Sequence, residues 1–300
     1  MTTMKEAYLQ ASSFLEKQGV PEAASCAELL LQHLMGWSRT AFLLNLEEPF
    51  PEERHAEWTG LLARKAAGEP VQYIIGEQEF YGLPFAVDPS VLIPRPETEL
   101  LVEEMIRRGR RLWPDAGTDS ASTGGSGCAP APVAADIGAG SGAICVTLAV
   151  QCPAWQVHAV DLSSAALQTA RRNAERLGAD RIVFHHGDLL EPLITSRIAV
   201  DILVSNPPYI PSGEVLGLQR EVAGHEPHSA LDGGPDGLDL YRRMVRQLEE
   251  LPRYPRLIGL EVGMGQAEAV RELLQRSGPW REIVIVPDLA GIGRHVVAEA

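Results

Sequence analysis

The second half of the chain alternates short apolar runs with segments of helical pattern, and this alternation constrains the fold more than any other feature. The runs are rich in β-prone residues and span residues 133–137, 157–160, 182–184, 202–204, 257–260 and 283–286. Strands that alternate with helices along a chain usually pair in parallel, and helices then cover both faces of the sheet. The pattern therefore predicts an α/β domain with a largely parallel sheet.

The N-terminal part has a different pattern. From residue 4 to about residue 67, apolar positions such as Leu30 and Leu34 recur at helical spacing, and Pro21-Glu22 is typical of a helix start. The pattern predicts a small all-helical unit. Short β-prone pieces follow and favour a hairpin-like connector; they are residues 73–75, 80–82 and 85–87.

The length of the chain suits a small and a large domain, since 300 residues can bury a substantial core without disulfides. We expect a helical domain at residues 1–71, a β-hairpin linker at 72–96 and the α/β domain at 97–300. Residues 115–132 are rich in Gly, Ser, Ala, Thr and Pro, which predicts a flexible surface insertion.

Charge and apolar content narrow the choice of partners. The formal net charge is −14, and nucleic-acid affinity rests largely on Lys and Arg, so a small molecule or a basic protein is favoured. We interpret the cluster Arg107, Arg108, Arg110 and Arg111 as a solvated helix end. No apolar run approaches the roughly 20 residues that span a bilayer, and the N-terminus lacks a signal-peptide pattern. We therefore expect a cytoplasmic protein with no membrane span.

A glycine-rich segment follows the first apolar run. It is Gly138-Ala139-Gly140-Ser141-Gly142, and it opens a helical pattern. Glycines at the carboxyl end of a strand let the backbone turn tightly and approach a ligand closely. Asp161 ends the second run, where a carboxylate that accepts hydrogen bonds from ribose hydroxyls is expected. After the third run, Asp188 or the backbone N–H of Leu189 is a candidate adenine contact, with a plain turn as the alternative.

Two classes of cofactor fit these glycines. Gly138, Gly140 and Ala143 also satisfy the looser G-x-G-x-x-G/A pattern of dinucleotide binding. Asp136 favours S-adenosyl-L-methionine, because a carboxylate there repels a pyrophosphate but can hold an ammonium group, directly or through water. The alternative is that Asp136 only caps the loop.

A second motif, Asn206-Pro207-Pro208-Tyr209, follows the fourth apolar run and is expected at the carboxyl edge of the sheet. An amide NH2 is a poor nucleophile, so an enzyme that methylates it must hold both N–H bonds and provide a flat wall. Asn206 Oδ1 and the Pro207 carbonyl can accept those bonds, Pro207 and Pro208 stiffen the backbone, and the Tyr209 ring can form the wall. A strand-ending turn is the alternative.

Other polar groups have structural interpretations. The spacing in His225-Glu226-Pro227-His228 differs from the H-E-x-x-H metal motif, so we interpret this segment as a loop that can close over the acceptor pocket. Glu97 and Glu99 after Pro96 are typical of the acidic first turn of a helix, with a supporting role around the pocket as the alternative. The 4 cysteines form no C-x-x-C pair and are interpreted as structural thiols rather than metal ligands.

With these motifs in place, the chain resembles the protein-(glutamine-N5) methyltransferases that modify peptide chain release factors, the PrmC or HemK family, over nearly its full length. The resemblance rests on the glycine loop, Asp161, and the strings at residues 80–82, 91–99, 205–210, 225–227, 237–238 and 261–263. Its most specific element is the string Ile-Pro-Arg-Pro-Glu-Thr-Glu, together with the spacing from that string to Asn-Pro-Pro-Tyr.

The resemblance implies a Rossmann-like, seven-stranded class I methyltransferase domain that uses S-adenosyl-L-methionine, joined by a β-hairpin linker to an N-terminal helical domain that engages the release factor. It implies N5-methylation of the glutamine in a Gly-Gly-Gln motif. Asn206, Pro207 and Tyr209 would be catalytic, and Pro208 would join them in holding the glutamine. The implied cofactor residues are Gly138, Ala139, Gly140, Ser141, Gly142, Asp161, Leu189 and Asn206. We expect a monomer without metal or direct nucleic-acid binding.

Two rival functions remain open at this point. A nucleic-acid methyltransferase that acts on the exocyclic amino group of adenine (N6) or guanine (N2) would meet the same planar geometry, with a flipped base against Tyr209. The acidic charge and the lack of an evident target-recognition domain disfavour it. A non-enzymatic module that only binds S-adenosyl-L-methionine is disfavoured by the intact Asn-Pro-Pro-Tyr string.

Overall fold

The computed structural model describes residues 2–114 and 130–300. The predicted flexible insertion at residues 115–132 lies mostly outside the described residues, as does Cys128. The chain divides into two compact units. Unit 1 contains Met1–Glu77 and Leu218–His225, and unit 2 contains Gln78–Gly217 and Glu226–Ala300.

Helices and strands succeed one another along the chain in the following order. They are α1 (Met4–Lys17), α2 (Ala23–Met35), α3 (Arg39–Leu44), α4 (His55–Ala66), α5 (Val71–Ile75), β1 (Glu77–Phe80), β2 (Leu83–Ala86), α6 (Pro96–Leu112), β3 (Val133–Ile137), α7 (Ala143–Gln151), β4 (Gln156–Asp161), α8 (Ser164–Arg176), β5 (Val183–His186), α9 (Glu191–Thr195), β6 (Ile202–Ser205), α10 (Arg220–His225), α11 (Asp239–Gln247), β7 (Leu257–Glu261), α12 (Ala267–Gln275), β8 (Glu282–Pro287) and β9 (Gly293–Glu299).

Unit 1 is helical, as its sequence pattern predicts. Helix α1 begins with a reciprocal cap in which the Thr3 hydroxyl accepts from Glu6 N–H and the Glu6 carboxylate accepts from Thr3 N–H. Apolar side chains from α1, α2, α4 and α5 form its core. The later segment, residues 218–225, joins this unit through the buried Lys65 ammonium, which donates to Glu221 Oε1 at 2.5 Å. The sequence patterns did not indicate this return of the chain.

The prediction of a β-prone piece at residues 73–75 is wrong, because these residues lie in α5. Pro70 precedes the helix with φ of −55°, and Val71 and Ile74 are buried in the core of unit 1. Burial of one apolar face in a helix outweighs the weaker β preference of the single residues. The predicted hairpin is present as β1 and β2, joined through Tyr81 and Gly82, which both have positive φ.

Unit 2 contains a seven-stranded sheet in the order β5-β4-β3-β6-β7-β9-β8. The first five strands of this order run parallel, and β9 pairs antiparallel with both β7 and β8. Each of the predicted apolar runs forms a strand, so the predicted α/β class is confirmed. Strand β9 was not recognised from its pattern, because its first three residues are Gly293, Arg294 and His295 and apolar residues come only after them.

Alternate strand residues supply the two cores of unit 2. Ala134, Ala159 and Val204 face one cluster, and the neighbouring positions face the other. Helix α6 approaches β7 closely at Gly259, where an added Cβ would lie 2.4 Å from Met105 Sδ. This approach brings the first turn of α6 to the carboxyl end of β7.

In the arginine cluster at the end of α6, Arg107, Arg110 and Arg111 are exposed, as interpreted from the sequence, whereas Arg108 is buried. Arg108 is 8% exposed. It forms ion pairs with Glu104 on its own helix and with Glu282 and Glu299 on β8 and β9. An arginine neutralised in this way ties α6 to the sheet rather than offering a phosphate-binding face.

Candidate active site

A cavity of about 360 Å³ lies at the carboxyl ends of β3, β4 and β6, within unit 2. Loops that follow these strands form one wall, and the segment that leads into α6 forms another. The carboxyl edge of a parallel sheet is the usual ligand-binding edge of this architecture. The cavity contains residues from both predicted motifs, the glycine loop and Asn206-Pro207-Pro208-Tyr209.

The glycine loop forms one end of this cavity. Gly138 and Gly140 have φ of +79° and +55°, and an added Cβ at Gly138 would meet no atom within 4 Å. Gly138 and Ala139 donate their N–H groups to the Val160 carbonyl at 2.9 and 3.0 Å. The loop is therefore fixed to β4 while its glycines leave space for a ligand. Ser141 also lines the cavity, and Gly142 lies directly before α7.

Asp161 lies at the end of β4 on the cavity wall. Its Oδ2 accepts from Gly140 N–H and its Oδ1 from Ser163 N–H, both at 2.8 Å. Burial raises the pKa of this carboxyl, and the two backbone donors act against that rise. Each carboxylate oxygen can accept a further hydrogen bond, so a rigid pair of acceptors is available for vicinal hydroxyls.

Asp136 acts as a cap in this structure. It is fully buried, and its Oδ2 accepts from Cys145 N–H at 3.0 Å in the first turn of α7. It is not among the described residues that line the cavity. The alternative interpretation from the sequence, a carboxylate that caps the loop, therefore describes its contacts. Burial raises its pKa to about 7.

The segment after β5 also reaches the cavity. Leu189 lines it with φ of +48°, in the left-handed region. Asp188 lines the cavity as well, but its carboxylate forms an ion pair with Arg243. The backbone of this segment is therefore better placed for recognition than the Asp188 carboxylate, which already has a charged partner.

Asn206 forms part of the other end of the cavity and belongs to a chain of buried side chains. Its Nδ2 donates to Thr98 Oγ1 at 3.1 Å. Thr98 Oγ1 in turn donates to Glu261 Oε2 at 2.6 Å, and Thr98 and Glu261 are 4% and 0% exposed. One N–H of Asn206 Nδ2 is thus bonded to the wall, and this orientation of the carboxamide leaves Oδ1 available to accept from a ligand.

The rest of the motif divides between the cavity and the core. Pro208 lines the cavity, whereas Pro207 and Tyr209 are not among the described lining residues. The Tyr209 hydroxyl accepts from Arg294 Nη2 at 3.3 Å, and the Tyr209 carbonyl accepts from Gln266 Nε2 at 2.9 Å. Burial raises the pKa of the Tyr209 hydroxyl. Arg294 therefore holds the ring through its hydroxyl, and Gln266 holds the backbone of the same residue.

The sequence patterns missed the wall formed by residues 90–98. Arg95 and Thr98 line the cavity, and Arg95 donates to Glu226 Oε1 at 2.6 Å. Because Glu226 is buried, this ion pair holds the following residue, Pro227, on the wall. Of residues 225–228, Pro227 lines the cavity, His225 ends α10 and His228 begins a short 3-10 helix, so closure of this segment over the acceptor pocket stays a prediction. The sequence feature that could have indicated this wall is the Ile-Pro-Arg-Pro-Glu-Thr-Glu string, in which Thr98 is a hydroxyl residue among residues typical of a helix start.

The remaining sequence predictions concern two carboxylates, the cysteines, metal sites and membrane spans. Glu97 and Glu99 lie in the first turn of α6, as interpreted, and Glu99 accepts from Tyr81 N–H at 3.0 Å. Cys26, Cys145 and Cys152 are buried and free. Within residues 2–114 and 130–300, no group of three or more His, Cys, Asp or Glu side chains is arranged to hold a metal. In the same residues no helix has the length and apolar character needed to cross a membrane.

Two models of known protein families match separate parts of the chain. The family model described as "PrmC N-terminal domain" matches residues 6–76, and that described as "Methyltransferase small domain" matches residues 129–220. A release factor glutamine methyltransferase of Bacillus cereus is 40% identical, with 98% of both chains covered. The protein of that name from Geobacter sulfurreducens is 42% identical, with 94% of this chain and 92% of the relative covered.

Solved structures show a similar fold at low identity. The catalytic domain of hMettl16 in complex with an RNA hairpin has a TM-score of 0.54 and 16% identity, covering 80% of this chain and 81% of that one. The N-terminal domain of human METTL16 in complex with SAH has a TM-score of 0.50 and 18% identity, covering 73% and 76%. At these identities the likeness concerns the methyltransferase fold alone.

Proposed function

The chain belongs to the release factor glutamine methyltransferase family, and from this premise we propose that it methylates the N5 amide of the glutamine in the Gly-Gly-Gln motif of peptide chain release factors, with S-adenosyl-L-methionine as methyl donor. The observation that carries the proposal is the orientation of Asn206 in the cavity wall, where Nδ2 donates one hydrogen bond to Thr98 and Oδ1 is left to accept from a ligand. A neutral NH2 group is the natural partner of such an oxygen.

The cavity fits the proposed cofactor in its donor and acceptor set. The Asp161 carboxylate can hold ribose hydroxyls, the open space at Gly138 and Gly140 admits a ligand against the backbone, and Leu189 gives an apolar surface for adenine. Ala139, Ser141 and Gly142 complete the loop. When bound, S-adenosyl-L-methionine supplies an electrophilic methyl group.

The acceptor residues would orient the glutamine amide. Asn206 Oδ1 and the Pro207 carbonyl accept its two N–H bonds, Pro207 and Pro208 stiffen the backbone, and the Tyr209 ring limits the amide to one plane. Both acceptors carry partial negative charge, so they stabilise the positive charge that develops on the nitrogen. No strong base is needed, since an N-methylated, protonated amide loses its proton readily to water.

One labelling experiment tests the proposal against its rival. The protein is incubated with methyl-labelled cofactor and, in separate arms, with a release factor, with the same factor carrying Asn in place of the motif glutamine, and with DNA and RNA. We expect label only on the motif glutamine of the unmodified factor. Label on adenine or guanine amino groups, with none on the release factor, would support the nucleic-acid methyltransferase instead.

The helical unit is the candidate site for recognition of the protein substrate, and we propose that the chain acts in the cytoplasm as a monomer. The division expected from the sequence, with helical residues 1–71, a hairpin linker at 72–96 and a transferase domain at 97–300, differs from the two units, because residues 72–75 lie in α5 and residues 218–225 belong to unit 1. Light scattering of the purified protein, alone and mixed with a release factor, measures both stoichiometries. A 1:1 complex of two single chains is the expected result.

A further inference from the structure

We propose that Thr98 and Glu261 are positioning residues that select the orientation of the Asn206 carboxamide, with Nδ2 held in the wall and Oδ1 facing the acceptor amide. The inference rests on the proposed function only in naming glutamine as the acceptor. It deepens that function by assigning roles to two buried residues outside the Asn-Pro-Pro-Tyr motif.

An asparagine amide is nearly symmetric in shape, so its orientation is decided by hydrogen bonding. The Thr98 hydroxyl has one proton, and when Glu261 is ionised that proton is donated to Glu261 Oε2 at 2.6 Å. An ionised carboxylate can only accept. Thr98 must therefore accept from Asn206, and it does so from Nδ2 at 3.1 Å. The charge on Glu261 sets the direction of both bonds.

The reverse orientation would place an NH2 donor of Asn206 opposite the NH2 of the acceptor, and two donors cannot bond each other. Glu261 is not among the described residues that line the cavity, so its effect on a ligand acts through Thr98. Glu261 Oε1 has no hydrogen-bond partner among the described residues, which leaves Thr98 as the hydrogen-bonding partner of this carboxyl group. A carboxyl group buried with so few partners is costly to the fold and indicates a functional demand.

The charge state of Glu261 depends on several neighbours. Burial raises its pKa to about 7, and Glu97 on α6 also raises it. The bond from Thr98, Arg294 on β9, and Arg95 before α6 all lower it. Tyr209 lies beside Arg294, and the Tyr241 hydroxyl of α11 donates to the Glu261 carbonyl at 2.7 Å. Protonation would let the Glu261 carboxyl donate to Thr98, which would free Thr98 to donate to Asn206 Oδ1 and reverse the amide.

The first test compares Thr98→Val, which removes only the hydroxyl, with Thr98→Ser, which retains it. We expect Thr98→Val to lower kcat about 10- to 100-fold, the scale of a misplaced reacting group, and Thr98→Ser to restore most of it. Thr147→Val is the matched control, because Thr147 is buried in α7 and its hydroxyl has no partner among the described residues. Calorimetric affinity for S-adenosylhomocysteine should stay within a few-fold in all three variants.

The second test reads the amide orientation without turnover. In ¹⁵N spectra the Asn206 Nδ2 pair, identified by its absence in Asn206→Ala, should shift in Thr98→Val and not in Thr147→Val. It should also shift in the wild type as pH falls through about 7, and Glu261→Gln should lack this transition. An unmoved Nδ2 signal in Thr98→Val, or a lost cofactor affinity, would overturn the positioning role. The Nδ2 signal is measured without a release factor. A negative result here can therefore be distinguished from a negative result in the labelling experiment.

Discussion

The two ends of the cavity are built in different ways. At the cofactor end, Asp161 is held by the backbone N–H groups of Gly140 and Ser163. At the acceptor end, Asn206 is held by the side chain of Thr98, which is held by that of Glu261. The first end is therefore fixed by local backbone geometry, and the second by side chains that come from distant parts of the chain. Binding and transfer should accordingly be separable by mutation.

Asn206→Ala should give the largest effect. It removes the acceptor at one end and leaves Asp161 and the glycine loop intact. We expect kcat to fall about 10³-fold, the upper end of the range for loss of one transition-state hydrogen bond, with cofactor affinity within a few-fold. Single-turnover kinetics and calorimetry measure the two quantities. Comparable activity in the mutant would falsify the assigned role and would break the distinction between the two ends.

The pH dependence of stability tests the cofactor end. Burial raises the pKa of Asp136 to about 7 in the folded state, against about 4 in the unfolded chain. The folded state therefore binds this proton more tightly, and the contribution of Asp136 to stability is full below pH about 4 and is lost as pH rises to about 7. Asn in its place can still accept from Cys145 N–H.

Asp136→Asn should thus gain unfolding free energy relative to the wild type between pH 5 and pH 8, by no more than about 3 kcal/mol, because about two units of this interval lie below the raised pKa. Urea unfolding at both pH values measures the difference, with the exposed Asp180→Asn as control. A constant difference between the two proteins would mean that Asp136 is ionised throughout. The unfolding free energy of Glu261→Gln relative to the wild type should also rise from pH 5 to pH 8, because the pKa of the buried Glu261 carboxyl is raised as well.

Asp161→Ala should affect binding rather than transfer. Loss of a charge-assisted hydrogen bond costs about 1–3 kcal/mol, so we expect the calorimetric affinity for the cofactor to weaken by that amount. Turnover at saturating cofactor should fall much less than in Asn206→Ala. Asp180→Ala serves as the matched control, since that carboxylate is exposed. Unchanged affinity in Asp161→Ala would place the ribose elsewhere.

Tyr209→Phe should give the smallest effect. The ring that forms the proposed wall remains, and only the hydrogen bond from Arg294 to the hydroxyl is lost. We expect kcat/KM to fall by a few-fold, corresponding to about 1 kcal/mol. Tyr254→Phe is the control, because this ring packs on Trp280 away from the motif. A loss of about 100-fold or more would assign the hydroxyl a part in proton transfer instead.

Local patterns predicted most of the strands and the position of the glycine loop and Asp161 at the edge of the sheet. The glycine loop and Asp161 lie where apolar runs end, so their place at the sheet edge follows from the order of strands and helices. The same reasoning failed at residues 73–75, where burial in unit 1 decided for helix α5. It also missed β9, whose polar start hides a strand that pairs with β7 and β8.

The sequence by itself determined the α/β class, the glycine loop with Asp161, and the Asn-Pro-Pro-Tyr motif at the end of β6, because each is specified by residues close together in the chain. Only the tertiary structure decided what holds that motif. Thr98 lies 108 positions from Asn206 and 163 from Glu261, and they meet because α6 packs on β7 at Gly259. Contacts over such separations depend on sheet order and helix packing, which periodicity along the chain does not encode.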